Sequence, residues 1–419
     1  MDQAILKLIT LAIFLICYSL VISRKIKIAY VSIGSVIILL LIGVLSFRQA
    51  FVAVNWDVLG IYWGFMMASI IFAKSGIPAY LAKYILLKTK NEGMALFLLC
   101  TLTAFLSSFL ENVGVVLIMA PIAIEIARRA NSSLFIYLVS IAISSNMVTT
   151  VTMIADPPSL ILAGETGMNF LDFYWFKGKI GLGVISIFAV LGGLATLYFL
   201  NFKKMKKEIK TEEEKIKINY GPLFLLIGGI IVLALNQYVG LRLGVIGFTI
   251  GMISLFLGRR ILRKMMLDFD WNSFFFILGI FIVIEAVEKA GILSSFANAI
   301  IKSGISSPAL TLAVITWLSV AFSSFIDNVP FTVLMIPVCS HLANSIGLES
   351  SFPLLYGMLI GTGIGGNITP IGATANVFAT GILEKRGYKI KLREYIKISM
   401  PTTIVSVLIA YLLLQFFWL

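Results

Sequence analysis

Apolar runs close to the length of a bilayer crossing recur from one end of this chain to the other. Two of them carry nearly the same polar phrase, Ser107-Ser108-Phe109-Leu110-Glu111-Asn112-Val113 and Ser323-Ser324-Phe325-Ile326-Asp327-Asn328-Val329. About 20 apolar residues cross hydrocarbon as a helix, and long apolar runs in place of strict alternation exclude a β-barrel. Of the 419 residues, 59% are hydrophobic and only 13% are charged, about half the charged share of a soluble domain. The fold class that follows is an all-α polytopic membrane protein. A carboxylate beside an amide is expensive inside lipid, so a duplicated pair points to a binding site built from two related halves.

The duplication extends beyond that phrase. Trp56 matches Trp271, and Lys74-Ser75-Gly76-Ile77 matches Lys289-Ala290-Gly291-Ile292, at a spacing of 215. The acidic–Asn pair repeats at 216, and Thr152 and Ile154 match Thr369 and Ile371 at 217. Pro121 and Pro337 follow the two phrases at the same distance. So small a drift over a hundred positions marks a repeat. The expected organisation is a first repeat over 1–200, a charged linker over 201–219, and a second, inverted repeat over 220–419. Each half would hold five spans, one re-entrant hairpin and one broken helix, giving about ten transmembrane helices plus two hairpins.

The hairpins are expected over 94–127 and 308–341. Each is too long for one crossing and too short for two with a turn, which need roughly 40 residues. The broken helices are expected over 134–163 and 354–382. In the first, Pro157-Pro158 removes two amide donors and constrains the residue before it. In the second, the glycine-dense run from Gly361 to Gly366 leads into Asn367-Ile368-Thr369-Pro370.

Charge provides an independent check. An odd number of crossings inverts the second half relative to the first. Along that path 26 of the 33 Lys and Arg fall on one side, among them Arg24, Lys90, the linker lysines, Arg259 and Lys397, while seven, including Lys302, fall on the other. The positive-inside bias then puts the linker in the cytoplasm and both termini outside a plasma membrane. With its cations gathered on one membrane face, a formal charge of +13 calls for no nucleic-acid partner; the partners are the lipid bilayer and a small solute. The first apolar segment, 4–22, has no basic region longer than Lys7 and no small-residue cleavage site, and reads as a retained helix.

Candidate ligands cluster at the tips and the breaks. The hairpins offer Ser107, Ser108, Glu111 and Asn112, and Ser323, Ser324, Asp327 and Asn328. The breaks offer Asn146, Thr150, Thr152 and Asp156, and Gly366, Asn367, Thr369, Thr374 and Asn376. Irregular backbone at membrane depth is tolerated where it lines a cavity or is buried in protein, and half-helix ends aim their dipoles at whatever fills the gap. Glu111, Asp156 and Asp327 would form a group of three carboxylates with no Lys or Arg at their depth. Three such groups cannot all ionise cheaply, so at least one would hold a proton or share a sodium ion. Sodium is a candidate at Asn112, Asp156, Asn328 and Asn367.

Other polar residues read more plainly. Glu285 and Glu288 are expected at an interface or paired with Lys289, and Glu125 is expected to pair with Arg128 or Arg129. His341 is expected to be structural, and Trp56 and Trp271 to anchor at the interface. The scattered Cys17, Cys100 and Cys339 indicate neither a disulfide framework nor a metal cluster. Without a nucleotide-binding loop, a metal-ligand cluster or a nucleophile–histidine pair, the chain reads as no enzyme. It needs no cofactor beyond a coupling ion, sodium or protons.

At these residues the chain resembles the ion transporter superfamily, in particular its arsenite permease, NhaD-type antiporter and P-protein branch, which is related to the citrate and dicarboxylate carriers. The resemblance rests on Phe322-Ser323-Ser324-Phe325-Ile326-Asp327-Asn328-Val329-Pro330-Phe331, on Asp156-Pro157-Pro158, and on Gly366-Asn367-Ile368-Thr369-Pro370-Ile371-Gly372-Ala373-Thr374-Ala375-Asn376. Departures are Glu111 where that branch usually has Asp, Met147-Val148 in place of a frequent Gly-Gly, and Ser159 in place of a common Asn. The Ser-Asn-Thr triplet of dicarboxylate-carrier hairpins is missing, which sets an organic-anion reading behind the others. The resemblance implies an elevator-like or rocking secondary carrier of a small inorganic solute. Arsenite-type efflux in exchange for protons comes first; sodium/proton exchange, or sodium- or proton-coupled transport of citrate or another anion, are the alternatives. A homodimer is expected from the relatives alone.

Overall fold

A computed structural model describes residues 3–23, 25–89, 91–208, 216–292 and 307–419. Arg24, Lys90, Lys302 and the linker core at 209–215 lie outside the described residues.

The described chain is mostly helical. The first half runs through α1 (Gln3–Ser23), α2 (Ile28–Ile42), α3 (Phe47–Ala53), α4 (Trp56–Ala73) and α5 (Ile77–Lys88). It continues through α6 (Glu92–Ser107), α7 (Asn112–Arg129), α8 (Leu134–Asn146), α9 (Pro157–Thr166) and α10 (Leu182–Leu197). The second half holds α11 (Gly221–Ala234), α12 (Asn236–Val239), α13 (Leu243–Leu257), α14 (Leu262–Asp268) and α15 (Trp271–Lys289). It closes with α16 (Pro308–Ser323), α17 (Asn328–Ser345), α18 (Phe352–Gly365), α19 (Thr374–Glu384) and α20 (Leu392–Trp418). A short antiparallel ribbon pairs Trp175 with Ile180 and Phe176 with Lys179.

Local chemistry sets the ends of these helices. At α2, Gly43 takes φ +78° and its amide donates back to the Leu39 and Leu40 carbonyls, a left-handed stop that glycine adopts without steric cost. Ser46 and Gln49 form a reciprocal capping box at the start of α3; two otherwise orphaned amides are thereby satisfied. Four helices, Trp56–Ala73, Leu182–Phe202, Trp271–Lys289 and Leu392–Trp418, are by length and composition long enough to cross a membrane, and shorter apolar helices make up much of the rest of the described chain. The segments 94–127, 134–163, 308–341 and 354–382 are each divided into two helices, which is why they contribute short ones.

Packing interleaves the halves. Helix α2 lies along α15, and α4 lies along α13. At the second crossing Gly60 and Gly64 face Gly244 and Gly247, so closely that a Cβ on Gly64 would overlap the Gly247 carbonyl. Where lipid supplies no hydrophobic drive between helices, small residues allow the close approach that makes packing favourable. The α6/α7 pair packs on α8, the α16/α17 pair packs on α18, and α10 packs on α20. The second arm of each hairpin also reaches the other half's broken segment, α7 touching α19 and α17 touching α9. Both polar tips are thus carried to both breaks.

Candidate functional site

Each hairpin turns over four residues and restarts with a carboxylate as its cap. Glu111 accepts hydrogen bonds from the Val113 amide at 3.0 Å and the Gly114 amide at 2.7 Å. Asp327 accepts from the Val329 amide at 3.4 Å. A helix start leaves orphaned donors, and a charged acceptor there also meets the positive end of the dipole. The two acidic residues therefore anchor the tips as well as facing the space between them. Ser108 and Ser324 turn inward, donating to the carbonyls of Ala104 at 3.0 Å and Val320 at 2.8 Å. Ser107 pairs with Ser145 at 2.7 Å, and Ser323 donates to the Thr362 carbonyl at 2.6 Å. These four hydroxyls hold each hairpin together or fasten it to its own half's broken segment.

The breaks are fastened to the tips and to each other. Thr152 donates to the Ser108 carbonyl and Thr369 to the Ser324 carbonyl, the same pin written once per half. Asn146 Nδ2 reaches Asn367 Oδ1 at 3.0 Å and Asn376 Oδ1 at 2.9 Å. Asn367 Nδ2 donates to the Ile143 carbonyl at 3.2 Å, and Asn376 Nδ2 donates to the carbonyls of Gly366 at 3.0 Å and Thr369 at 3.1 Å. Backbone carbonyls at the two breaks are thus satisfied by side-chain amides. Thr150 is directed elsewhere, pairing with Ser186 at 2.7 Å.

Between tips and breaks lies a cavity of about 50 Å³. Seven residues singled out from the sequence wall it: Glu111, Asn112, Asn146, Asp156, Asp327, Asn328 and Thr374. The others, Ser107, Ser108, Thr150, Thr152, Ser323, Ser324, Gly366, Asn367, Thr369 and Asn376, are not in that wall. Apart from Thr150, they take part in the packing and hydrogen bonding around it. Asn328 Nδ2 donates to Asp156 Oδ2 at 2.7 Å, which links the second tip to the first break. A smaller cavity of about 30 Å³ adjoins through Tyr62, Glu111, Asp156 and Pro157.

Sequence reasoning missed one carboxylate. Asp270 shares the cavity wall with Glu111, Asp156 and Asp327, so the group has four members; no Lys or Arg is among the described residues that wall it. Asp270 caps α15, accepting from the Ser273 amide at 3.0 Å and from the Ser273 hydroxyl. A signal was present: Asp270 precedes Trp271 as Asn55 precedes Trp56. Of the four sodium candidates, Asn112, Asp156 and Asn328 reach the wall, while Asn367 lies behind it.

The minor candidates divide. Glu125 accepts from Arg128 and Arg129 at 2.8 and 2.6 Å, as expected. The tryptophans cap short loops: Trp56 Nε1 donates to the Phe51 carbonyl at 3.2 Å and Trp271 Nε1 to that of Met266 at 2.8 Å. Glu285 and Glu288 form no ion pair with Lys289 among the described residues. With Glu165 and His341 they face a separate cavity of about 290 Å³, because α17 packs against both α15 and α9.

The sequence and the fold both have known counterparts. An uncharacterised transporter of Mycobacterium tuberculosis is 25% identical over 98% of this chain and 99% of its own length. The P protein of Mus musculus is 27% identical over 84% of this chain and 53% of the mouse protein. The crystal structure of the YdaH transporter of Alcanivorax borkumensis superposes with a TM-score of 0.57 at 14% identity, covering 86% of this chain and 84% of that one. The profile of the citrate transporter family (CitMHS) matches residues 18–361. The chain belongs to that citrate transporter family and is an integral membrane protein, a secondary transporter of the wider ion transporter superfamily.

Proposed function

We propose that the protein exchanges a small inorganic solute for protons across a plasma membrane, with arsenous acid as the first candidate. The observation that carries this reading is a cavity of about 50 Å³ walled by four carboxylates and, among the described residues, by no cationic side chain. Such a volume admits a few water-sized species. Four neighbouring carboxylates cannot all be ionised and unpaired, so protons or a metal cation must accompany them. A neutral polyhydroxy solute can hydrogen-bond to carboxylate and amide oxygens, and protons can leave as it enters. Citrate would bring further negative charge to an acidic wall.

The path through the membrane follows from the duplicated segments: ten crossings and two re-entrant hairpins, the halves inverted, both termini outside and the linker in the cytoplasm. The shared contacts support it, since α2 with α15 and α13 with α4 are the same pair of elements exchanged between halves.

Sodium/proton exchange is the second reading, favoured by one arrangement. Asp156, held by Asn328 at 2.7 Å, lies with Asp270 and the Asn112 side chain in a single wall rich in oxygen donors, the donor type that hard cations select. Flux into proteoliposomes under an imposed pH gradient separates the candidates. Arsenite uptake or release that collapses the gradient supports the first reading, and sodium flux that does so supports the second. Citrate movement with neither proton nor sodium dependence defeats both.

A further inference from the structure

The starts of α4 and α15 are the same device built twice. Each carries a tryptophan whose indole donates to a carbonyl five residues back. Each is capped by the preceding side chain, Asn55 accepting from the Val58 amide at 3.2 Å and Asp270 from the Ser273 amide at 3.0 Å. Their surroundings differ. Asn55 and Val58 press on Gly164 near the end of α9, where an added Cβ would lie 2.8 Å from Asn55 Nδ2 and overlap Val58. Asp270 and Ser273 instead share the cavity wall with Ala373 and Thr374, at the start of α19.

At the spacing of 217, Thr374 corresponds to Pro157 and Gly164 to Gly381. Equivalent helix starts therefore face their broken segments, one in contact and one across the cavity, at points seven residues apart, roughly 10 Å along a helix. Among the described residues, and leaving aside its own helix backbone, Gly381 has no atom within 4 Å of where a Cβ would lie. A glycine within a helix is less favourable than alanine, and among the described residues nothing packed against Gly381 in this arrangement accounts for it.

Building on the exchange reading above, we propose that these contacts are swapped between halves in a second access state. There α15 docks on Gly381, Asp270 leaves the site, and Asn55 moves from Gly164 to the start of α9 beside Asp156. The site then carries one carboxylate more when it faces the Asp270 end of the fold than when it faces the Asn55 end. The titratable groups sharing the present cavity with Asp270 are Tyr62, Glu111, Asp156 and Asp327, and the swap changes how much negative charge surrounds them. Cations are held more tightly in one state than in the other, a bias that a symmetric pair of halves would lack.

Two variants test this in proteoliposomes holding the protein in one orientation, with sodium and protons as the probes. Gly381→Leu fits the open space, so it should melt like the parent while exchange falls at least about tenfold. Asp270→Asn should weaken cation affinity about tenfold from one face, the size of effect expected from removing a neighbouring charge, and less than about twofold from the other. Asn55→Asp should strengthen affinity on that other face. Near-parental exchange by Gly381→Leu, or equal losses on both faces in Asp270→Asn, overturns the swap. Asp156→Asn tells that failure apart from failure of the exchange reading: if it too exchanges like the parent, the site assignment itself is wrong.

Discussion

Asp156 and Ala373 occupy the same point of the two broken segments. Each is the extended residue from which the second helix starts, with φ −156° and −134°, yet only the first carries a carboxylate. Asn55 and Asp270 reverse that assignment at the starts of α4 and α15. The two halves thus share the devices that shape backbone, such as the tip caps, the threonine pins and the tryptophan loops. At the starts of α4 and α15 charge has diverged where either side chain caps the helix, whereas neither Asp156 nor Ala373 makes a side-chain cap bond. A capping oxygen from Asn or Asp satisfies the same amide, so the substitution is nearly free for the fold and decisive for electrostatics.

The same comparison extends to helix crossings and orders the expected effects. Gly64 and Gly279 are repeat-related, but a Cβ on Gly64 would overlap the Gly247 carbonyl, whereas one on Gly279 would meet the Ser32 hydroxyl at 2.7 Å and its Cβ at 2.8 Å. Of the Ser32 atoms only the hydroxyl can rotate aside, since its Cβ and its carbonyl carbon at 3.1 Å move with the backbone, but the approach there is less close than at Gly64. Gly64→Ala should therefore lower stability by about 1–3 kcal/mol, and Gly279→Ala by less, read as thermal unfolding in micelles. Equal losses would mean that the crossings are equally tight.

Smaller effects are expected at the pins. Thr152→Val and Thr369→Val each remove one hydroxyl from a buried carbonyl, worth about 1 kcal/mol. Comparable losses in the two variants would show the halves sharing that load, and a loss in only one would break the equivalence. Smallest is the exposed pair of Lys74 and Asp268 at 2.6 Å. Lys74→Ala should shift unfolding by no more than about 1 kcal/mol, and less still in high salt.

Much of the site was legible because polar residues inside apolar runs carry a cost that needs a reason. The tips at Glu111 and Asp327 and the break at Asp156 declared themselves in this way, and the structure brings them into one wall. Asp270 did not, since an acidic residue beside a tryptophan at the end of an apolar run looks like an ordinary cap. Tyr62 was hidden among the apolar residues of α4. The partner of Thr150, Ser186, lies 36 positions away in another helix, beyond any local pattern. Glu165 joins Glu285, Glu288 and His341 in one cavity only through packing between elements more than a hundred residues apart.

The most direct measurement of the central claim is flux of arsenite, sodium and citrate by Asp156→Asn and Asp327→Asn beside the parent protein, in proteoliposomes under a fixed pH gradient. Asp156→Asn leaves Asn328 an acceptor but removes a charge from the site, so it should slow exchange by about tenfold or more, and Asp327→Asn should also impair it. Unchanged flux of every transported species in both variants would contradict a site built from the carboxylates of the two halves.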